Sequence, residues 1–176
     1  MIISMHPAHV FERYGIDEGF AALKRNGIDG IQFGMGAYVM SPNVIRNGLP
    51  SIMDGPLKEI LESLRPYKEA AKKHGVCFSQ VHAPFPMWKA DDGAVAERMK
   101  PVIKKAIAIT AYLESPHCVV HPAFAKDNAQ CLSADAEWQL NKELYGALIP
   151  DLIQYRVVCL LENMFSQAGE GTRFAA

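Results

Sequence analysis

The sequence lacks any apolar run of the roughly 20 residues that would be needed to cross a bilayer. Residues 1–4 also lack the basic segment and the long apolar segment of a secretion signal, so we expect a cytoplasmic protein with no membrane partner. None of the four cysteines forms a CxxC pair, which argues against a disulfide framework in a chain of this class. Three of them, Cys77, Cys118 and Cys159, fall in predicted strands, where we expect them to be buried.

An excess of positive charge is also absent. The chain carries 18 Lys and Arg residues against 19 Asp and Glu residues, for a formal net charge of -1, which argues against nucleic acid as a partner. Hydrophobic residues make up 49% of the 176 residues, enough for the core of one globular domain. No shift in composition divides the chain, so we expect a single domain over residues 1–176.

Short apolar segments alternate along the chain with segments whose apolar residues have helical spacing. An unbroken apolar run such as Val157–Leu161 is typical of a strand covered on both faces. Strict alternation of strand and helix predicts a parallel α/β sheet with five strands and about four helices. The predicted strands are Ile2–Met5, Ile28–Phe33, Val76–Val81, Cys118–Val120 and Val157–Leu161.

Two architectures fit this order, a doubly wound sheet and a TIM barrel. A doubly wound nucleotide-binding domain should have a glycine-rich turn after its first strand, but residues 6–10 contain no glycine, and no strand is followed by a GxxxxGK[ST] motif. The barrel is therefore favoured. A complete barrel needs eight strands in about 250 residues, so we expect an incomplete one, truncated after its fifth strand. Its two free edges would favour a homo-oligomer.

Three successive predicted strands end in side chains that bind metals. The third ends at His82, the fourth at His121 and the fifth at Glu162. Neighbouring barrel strands lie about 4.8 Å apart, so these ends should converge at the C-terminal mouth of the barrel. Imidazole and carboxylate are ligands of Zn²⁺, Mn²⁺ and related ions. A carboxylate after an apolar strand also needs compensation of its charge. We therefore expect a shared metal or substrate site, with His6 as a fourth candidate.

His117 is excluded from this predicted site although it precedes His121 by four residues. That spacing suits a metal-binding pair on a helix, but four residues of a strand span roughly 13 Å. The two imidazoles cannot then bind one ion, and we expect His117 at the opposite end of the barrel. A single histidine before a proline at a strand end is more often a hydrogen-bonding loop residue. The case for a site therefore depends on His82, His121 and Glu162 occurring together.

These strand ends resemble a known family. The segments Gln80–Phe85, Val119–Pro122 and Leu160–Asn163 are similar to successive strand-end motifs of the xylose isomerase-like TIM-barrel superfamily. That superfamily includes sugar and sugar-phosphate isomerases and epimerases and the endonuclease IV class of AP endonucleases. Gly27–Gln32 resembles its second strand, although Gln32 stands where many members carry Glu. The family draws further metal ligands from strands six to eight, which this chain lacks.

The resemblance implies an isomerase or epimerase that moves a proton next to a carbonyl through an enediolate stabilised by a divalent metal. Glu162 would be a metal ligand and one of the acid/base carboxylates. His82 would take part in catalysis, and His82 and His121 would bind the metal, which would be Mn, Co, Zn or Mg, or oxygens of the substrate. The substrate would be a small sugar or sugar phosphate, contacted by His6, His121, Phe85, Trp88 and Asn163.

Two other functions remain open at this point. In an AP endonuclease His82, His121 and Glu162 would all bind a zinc cluster, although the near-neutral chain offers few cations for phosphate contacts. The chain could also be a non-catalytic barrel fragment that acts only in an oligomer. Because the further ligand-bearing strands are missing, we expect the isolated chain to be inactive as an isomerase and to bind metal weakly or not at all.

Overall fold

A five-stranded parallel sheet forms the centre of the fold. The computed structural model describes residues 1–7, 9–85, 93–123, 133–162, 164–165 and 172–173. The strands pair in sequence order, and every neighbouring pair is parallel. Sequential order confirms the barrel-type sheet and excludes a doubly wound sheet, in which the order reverses. The strands are β1 (Ser4–Met5), β2 (Gly30–Gly34), β3 (Cys77–His82), β4 (His117–Val120) and β5 (Val158–Leu161).

The helices are more numerous than the four that the sequence predicts. The described residues contain eight α-helices and a 3-10 helix at Ile52–Asp54. A two-stranded antiparallel sheet of β6 (Met164–Phe165) and β7 (Thr172–Arg173) also follows β5. The helices are α1 (Val10–Tyr14), α2 (Ile16–Arg25), α3 (Met35–Tyr38), α4 (Pro42–Arg46), α5 (Leu57–His74), α6 (Gly93–Tyr112), α7 (Ala134–Gly146) and α8 (Ile149–Tyr155).

Prolines account for part of this difference. The predicted fourth helix divides into α7 and α8, and Pro150 lies in the first turn of α8, where its missing N–H costs no hydrogen bond. A proline inside a helix usually interrupts it, but Pro66 and Pro101 both lie inside continuous helices. Pro66 is exposed, as is Glu62 one turn earlier. Water can therefore satisfy the Glu62 carbonyl that loses its amide partner.

The helix-facing side of the sheet is the apolar core. Phe33 and Phe78 are buried there with their ring centroids 5.8 Å apart. Phe20 of α2 meets Phe78 at 6.0 Å, and Tyr67 of α5 meets Phe33 at 5.3 Å. Edge-to-face contacts of this kind add to the hydrophobic stabilisation of the buried rings. The aromatic cluster therefore fixes α2 and α5 against β2 and β3.

The opposite face of the sheet is polar. Successive side chains of a strand alternate between its two faces, and one extra residue in β3, Ser79, shifts this alternation so that Gln80 is on the face opposite Phe78. Gln32 and Gln80 lie on this face and are hydrogen-bonded to each other. A Cβ on Gly30 would come within 3.0 Å of the Cys77 sulfur, which places Cys77 here as well. Cys77 is exposed, whereas Cys118 is buried and Cys159 is half-buried. The expectation of burial was therefore wrong for Cys77, because it lies on the face that the helices do not cover.

The outermost strands leave apolar side chains exposed. Met5 lies in β1, and Val158 and Leu161 lie in β5; all three are at least 40% exposed. On the neighbouring helix α8, Ile153 is exposed as well. No helix in the described ranges is long and apolar enough to cross a membrane.

A polar cluster joins the loop before α5 to α6. Ser51 caps the 3-10 helix, and Asp54 accepts a hydrogen bond from the Ser51 amide at 2.8 Å. Asp54 also accepts two hydrogen bonds from the Arg98 guanidinium, at 2.9 and 2.7 Å. These hydrogen bonds hold the pKa of Asp54 below its ordinary value. Lys105 donates to two backbone carbonyls of the same turn, both at 2.8 Å.

We predict that Asp54→Asn destabilises the fold by about 1 kcal/mol, a modest value because the carboxylate is 40% exposed and water screens the pair. The folded-state pKa is lowered, so the stabilisation is complete above the ordinary carboxyl pKa and is lost as the pH falls through the folded value. Urea unfolding should therefore separate variant from wild type at pH 7, and the difference should shrink as the pH falls below the ordinary carboxyl pKa. Glu97→Gln, at an exposed ion pair within α6, is the control. Equal stability of wild type and Asp54→Asn at pH 7 would contradict the prediction.

Candidate active site

The structure brings together the three side chains that end β3, β4 and β5. His82 is the last residue of β3, His121 directly follows β4, and Glu162 directly follows β5. His82 Nε2 lies 2.7 Å from Glu162 Oε2, within hydrogen-bonding distance, and His121 Nε2 lies 3.5 Å from the same oxygen. The two imidazole centroids are 4.8 Å apart. One carboxylate oxygen therefore lies between two imidazoles at the C-terminal edge of the sheet.

The environment of these side chains differs between the imidazoles and the carboxylate. The side chains of His82 and His121 are 17% and 13% exposed, whereas that of Glu162 is 41% exposed. The pKa of His121 is lowered to about 4, chiefly by burial and also by the nearby His82, while Glu162 opposes both effects. His121 is therefore neutral at pH 7. A neutral imidazole has a lone pair available for a metal ion.

The three side chains can be tested for their fit to a cation. One donor atom from each of the three lies within 4.8 Å of the others. Tetrahedral bonds of about 2.0–2.1 Å place the donor atoms of a zinc site about 3.4 Å apart. The 2.7 Å between His82 and Glu162 would therefore have to open, and separations of up to 4.8 Å would have to close, each by about an ångström. Two histidines and one glutamate are also a ligand set of catalytic zinc sites. The donor set therefore fits a divalent cation.

An open cleft of about 410 Å³ adjoins this group. His82 belongs to both, so the cleft leads to the three converging side chains. His6 lies in the cleft beside Gly34, where a Cβ would come within 3.2 Å of His6 Nε2. Phe85 also lines the cleft, and its ring centroid is 4.4 Å from that of His121. The lining residues are His6, Gln32, Gly34, Gly36, Ala37, Pro42, His82, Ala83 and Phe85.

The structure describes some, but not all, of the site residues that the sequence predicts. His6, His82, His121, Phe85 and Glu162 lie at the cleft or the strand ends, whereas Trp88 and Asn163 fall outside the described residues.

His117 lies at the beginning of β4, with Nδ1 3.2 Å from the Ser79 carbonyl oxygen. It takes no part in the group formed by His82, His121 and Glu162. Sequence reasoning missed the role of Gln32 and Gln80 in the cleft region. No sequence signal indicates that they are paired, because their register depends on one extra residue in β3.

Known structures with a similar fold include sugar epimerases. A D-tagatose 3-epimerase-like protein matches with a TM-score of 0.62 and 18% identity over 94% of this chain and 54% of its own. The 3-keto-D-glucoside 4-epimerase from E. coli matches with a TM-score of 0.59 and 16% identity over 91% of this chain and 54% of its own. D-allulose 3-epimerase from Methylomonas sp., in complex with D-allulose, matches with a TM-score of 0.60 and 11% identity over 91% of this chain and 50% of its own.

These similarities establish the fold, and this chain spans about half the length of the structures it matches. No curated protein sequence matches the chain. The model of one sequence family, the xylose isomerase-like TIM barrel, covers residues 20–175. The match begins within α2, includes β2 to β5, and confirms the resemblance of the strand-end motifs. The chain belongs to the xylose isomerase-like TIM-barrel family.

Proposed function

We propose that the protein is a sugar or sugar-phosphate isomerase or epimerase in which His82, His121 and Glu162 hold a divalent cation. The observation that carries this proposal is the position of Glu162 Oε2 between the two imidazoles, at 2.7 and 3.5 Å. Sugar epimerases among the similar folds support the reaction class. The cation would polarise the carbonyl and hydroxyl oxygens of the sugar and stabilise an enediolate.

The side chains of the site would bind the cation and orient one another. His121 offers a neutral nitrogen because it is buried. The short contact between His82 and Oε2 fixes the orientation of the Glu162 carboxylate. In the proposed reaction Glu162 is also one of the carboxylates that accept or return a proton next to the substrate carbonyl. Its 41% exposure leaves the carboxylate accessible to a bound sugar.

The cleft would receive the sugar. Phe85 gives it an apolar wall beside His121, against which the C–H groups of a sugar ring or chain can pack. His6 and His82 offer ring nitrogens to hydroxyl groups from two different strand ends. A small polyhydroxylated molecule therefore suits the cleft in both size and chemistry.

Three protein ligands are enough for a catalytic zinc site, but Mn²⁺ and Mg²⁺ prefer octahedral coordination with more oxygen ligands. We therefore predict that Zn²⁺ binds this 176-residue chain weakly, with one ion per chain, and that Mg²⁺ binds more weakly still. Glu162→Gln should lower the Zn²⁺ affinity at least tenfold, because it removes a charged ligand while keeping the side-chain shape. Calorimetric titration measures both values.

Glu143→Gln on the exposed surface of α7 is the matched control and should leave the Zn²⁺ affinity unchanged. An unchanged Zn²⁺ affinity in Glu162→Gln would show that Glu162 is not part of the site.

We expect no ketose turnover by the isolated chain, since its described residues supply one carboxylate and two imidazoles at the strand ends. In a form of the protein that does turn over a ketose, Glu162→Gln should abolish the activity. Tight binding of the chain to a duplex with an abasic site would favour the nuclease function instead.

Assembly follows from the exposed apolar residues of the outer strands. Val158 and Leu161 of β5 and Met5 of β1 are at least 40% exposed, and exposed strand edges favour pairing with another chain. We predict a dimer or larger homo-oligomer at micromolar concentration, measured by light scattering. Leu161→Lys should shift the distribution toward monomer, whereas Leu49→Lys, at an exposed leucine in the loop after α4, should not. A wild-type monomer at these concentrations would contradict the prediction.

A further inference from the structure

Gln32 and Gln80 form a pair of amides beside the proposed site. They are register partners in β2 and β3, and Gln80 Nε2 donates a hydrogen bond of 2.9 Å to Gln32 Oε1. Both side chains are partly buried, and Gln32 lines the cleft. His82 follows Gln80 by two residues on the same face of the strand, a distance along the strand of roughly 7 Å. The pair therefore lies one layer below the group of His82, His121 and Glu162.

The direction of this hydrogen bond fixes what Gln32 can offer. Its carbonyl oxygen accepts from Gln80, so the amide nitrogen, with two N–H donors, is left to meet other partners. Gly34, two residues further along β2, also lines the cleft and adds no side chain above Gln32. A carboxylate at position 32 could still accept from Gln80, but it could not donate.

We infer that Gln32 is a specificity-determining residue that donates a hydrogen bond to one hydroxyl or carbonyl oxygen of a neutral polyhydroxylated ligand, with Gln80 as the positioning residue that orients its amide. This inference rests on the proposed function, because it assigns the substrate class of the same cleft. A partly buried amide donor loses its partner when the ligand lacks that oxygen. Sites built in this way discriminate strongly against the deoxy analogue.

The test is a thermodynamic cycle between the protein side chain and the ligand oxygen. The dissociation constants of D-fructose and of each of its monodeoxy derivatives are measured by NMR titration with the Zn²⁺-loaded chain. We expect one derivative to bind roughly tenfold more weakly than D-fructose to the wild type. Gln32→Met should bind D-fructose about tenfold more weakly than wild type and should no longer distinguish it from that derivative. Gln32→Glu should behave in the same way, because it keeps the bond from Gln80 but removes the donor.

Gln80→Met should cause a smaller loss of affinity for D-fructose and keep part of the discrimination against that derivative. Gln32 then retains its N–H donors but loses the hydrogen bond that orients its amide. Gln154→Met, at an exposed glutamine of α8, is the control and should match wild type. Thermal unfolding of each variant checks that the fold is intact.

The inference is overturned if Gln32→Met keeps the discrimination shown by the wild type, or if the Zn²⁺-loaded chain distinguishes no derivative or binds no D-fructose. Failure of the proposed function itself appears separately, as loss of the effect of Glu162→Gln on Zn²⁺ affinity.

Discussion

The contact of one carboxylate with two imidazoles is the feature on which the candidate site depends. Glu162 can stand after an apolar strand because His82 lies 2.7 Å and His121 3.5 Å from its Oε2. Parallel pairing of β3, β4 and β5 brings the three strand ends to one edge of the sheet. An antiparallel or reordered sheet would separate these side chains. The chemistry of the site is therefore a direct consequence of the sheet topology.

One face of the sheet packs against the helices and stabilises the fold, whereas the other face carries residues of the candidate site. Phe33 and Phe78 on the helix-facing side belong to the buried aromatic cluster that holds the helices. Gln32, Gln80 and His82 occupy the other side, which carries the candidate site. Substitutions on this polar face can therefore alter ligand binding at a small cost in stability, whereas truncation of Phe33 would leave a cavity in the core.

The sheet and the three strand-end residues could be predicted from the sequence because both depend on local patterns. The apolar run before Glu162 and the histidines that end two other apolar runs, His82 and His121, are visible in the sequence, and parallel pairing supplies their proximity. Other features depend on tertiary context. The continuity of α5 through Pro66 depends on solvent access to a backbone carbonyl. The exposure of Cys77 depends on which face of the sheet its side chain occupies. The Gln32–Gln80 bond depends on a register that one extra residue of β3, Ser79, shifts.

X-ray absorption spectroscopy of the Zn²⁺-loaded chain measures directly whether His82, His121 and Glu162 together bind one divalent ion. We expect a first shell of nitrogen and oxygen at about 2.0–2.2 Å. The outer-shell scattering should correspond to two imidazoles, and replacing either His82 or His121 should reduce it to one. A sulfur shell at about 2.3 Å, as the exposed Cys77 would give, or imidazole scattering that survives both replacements, would contradict the account.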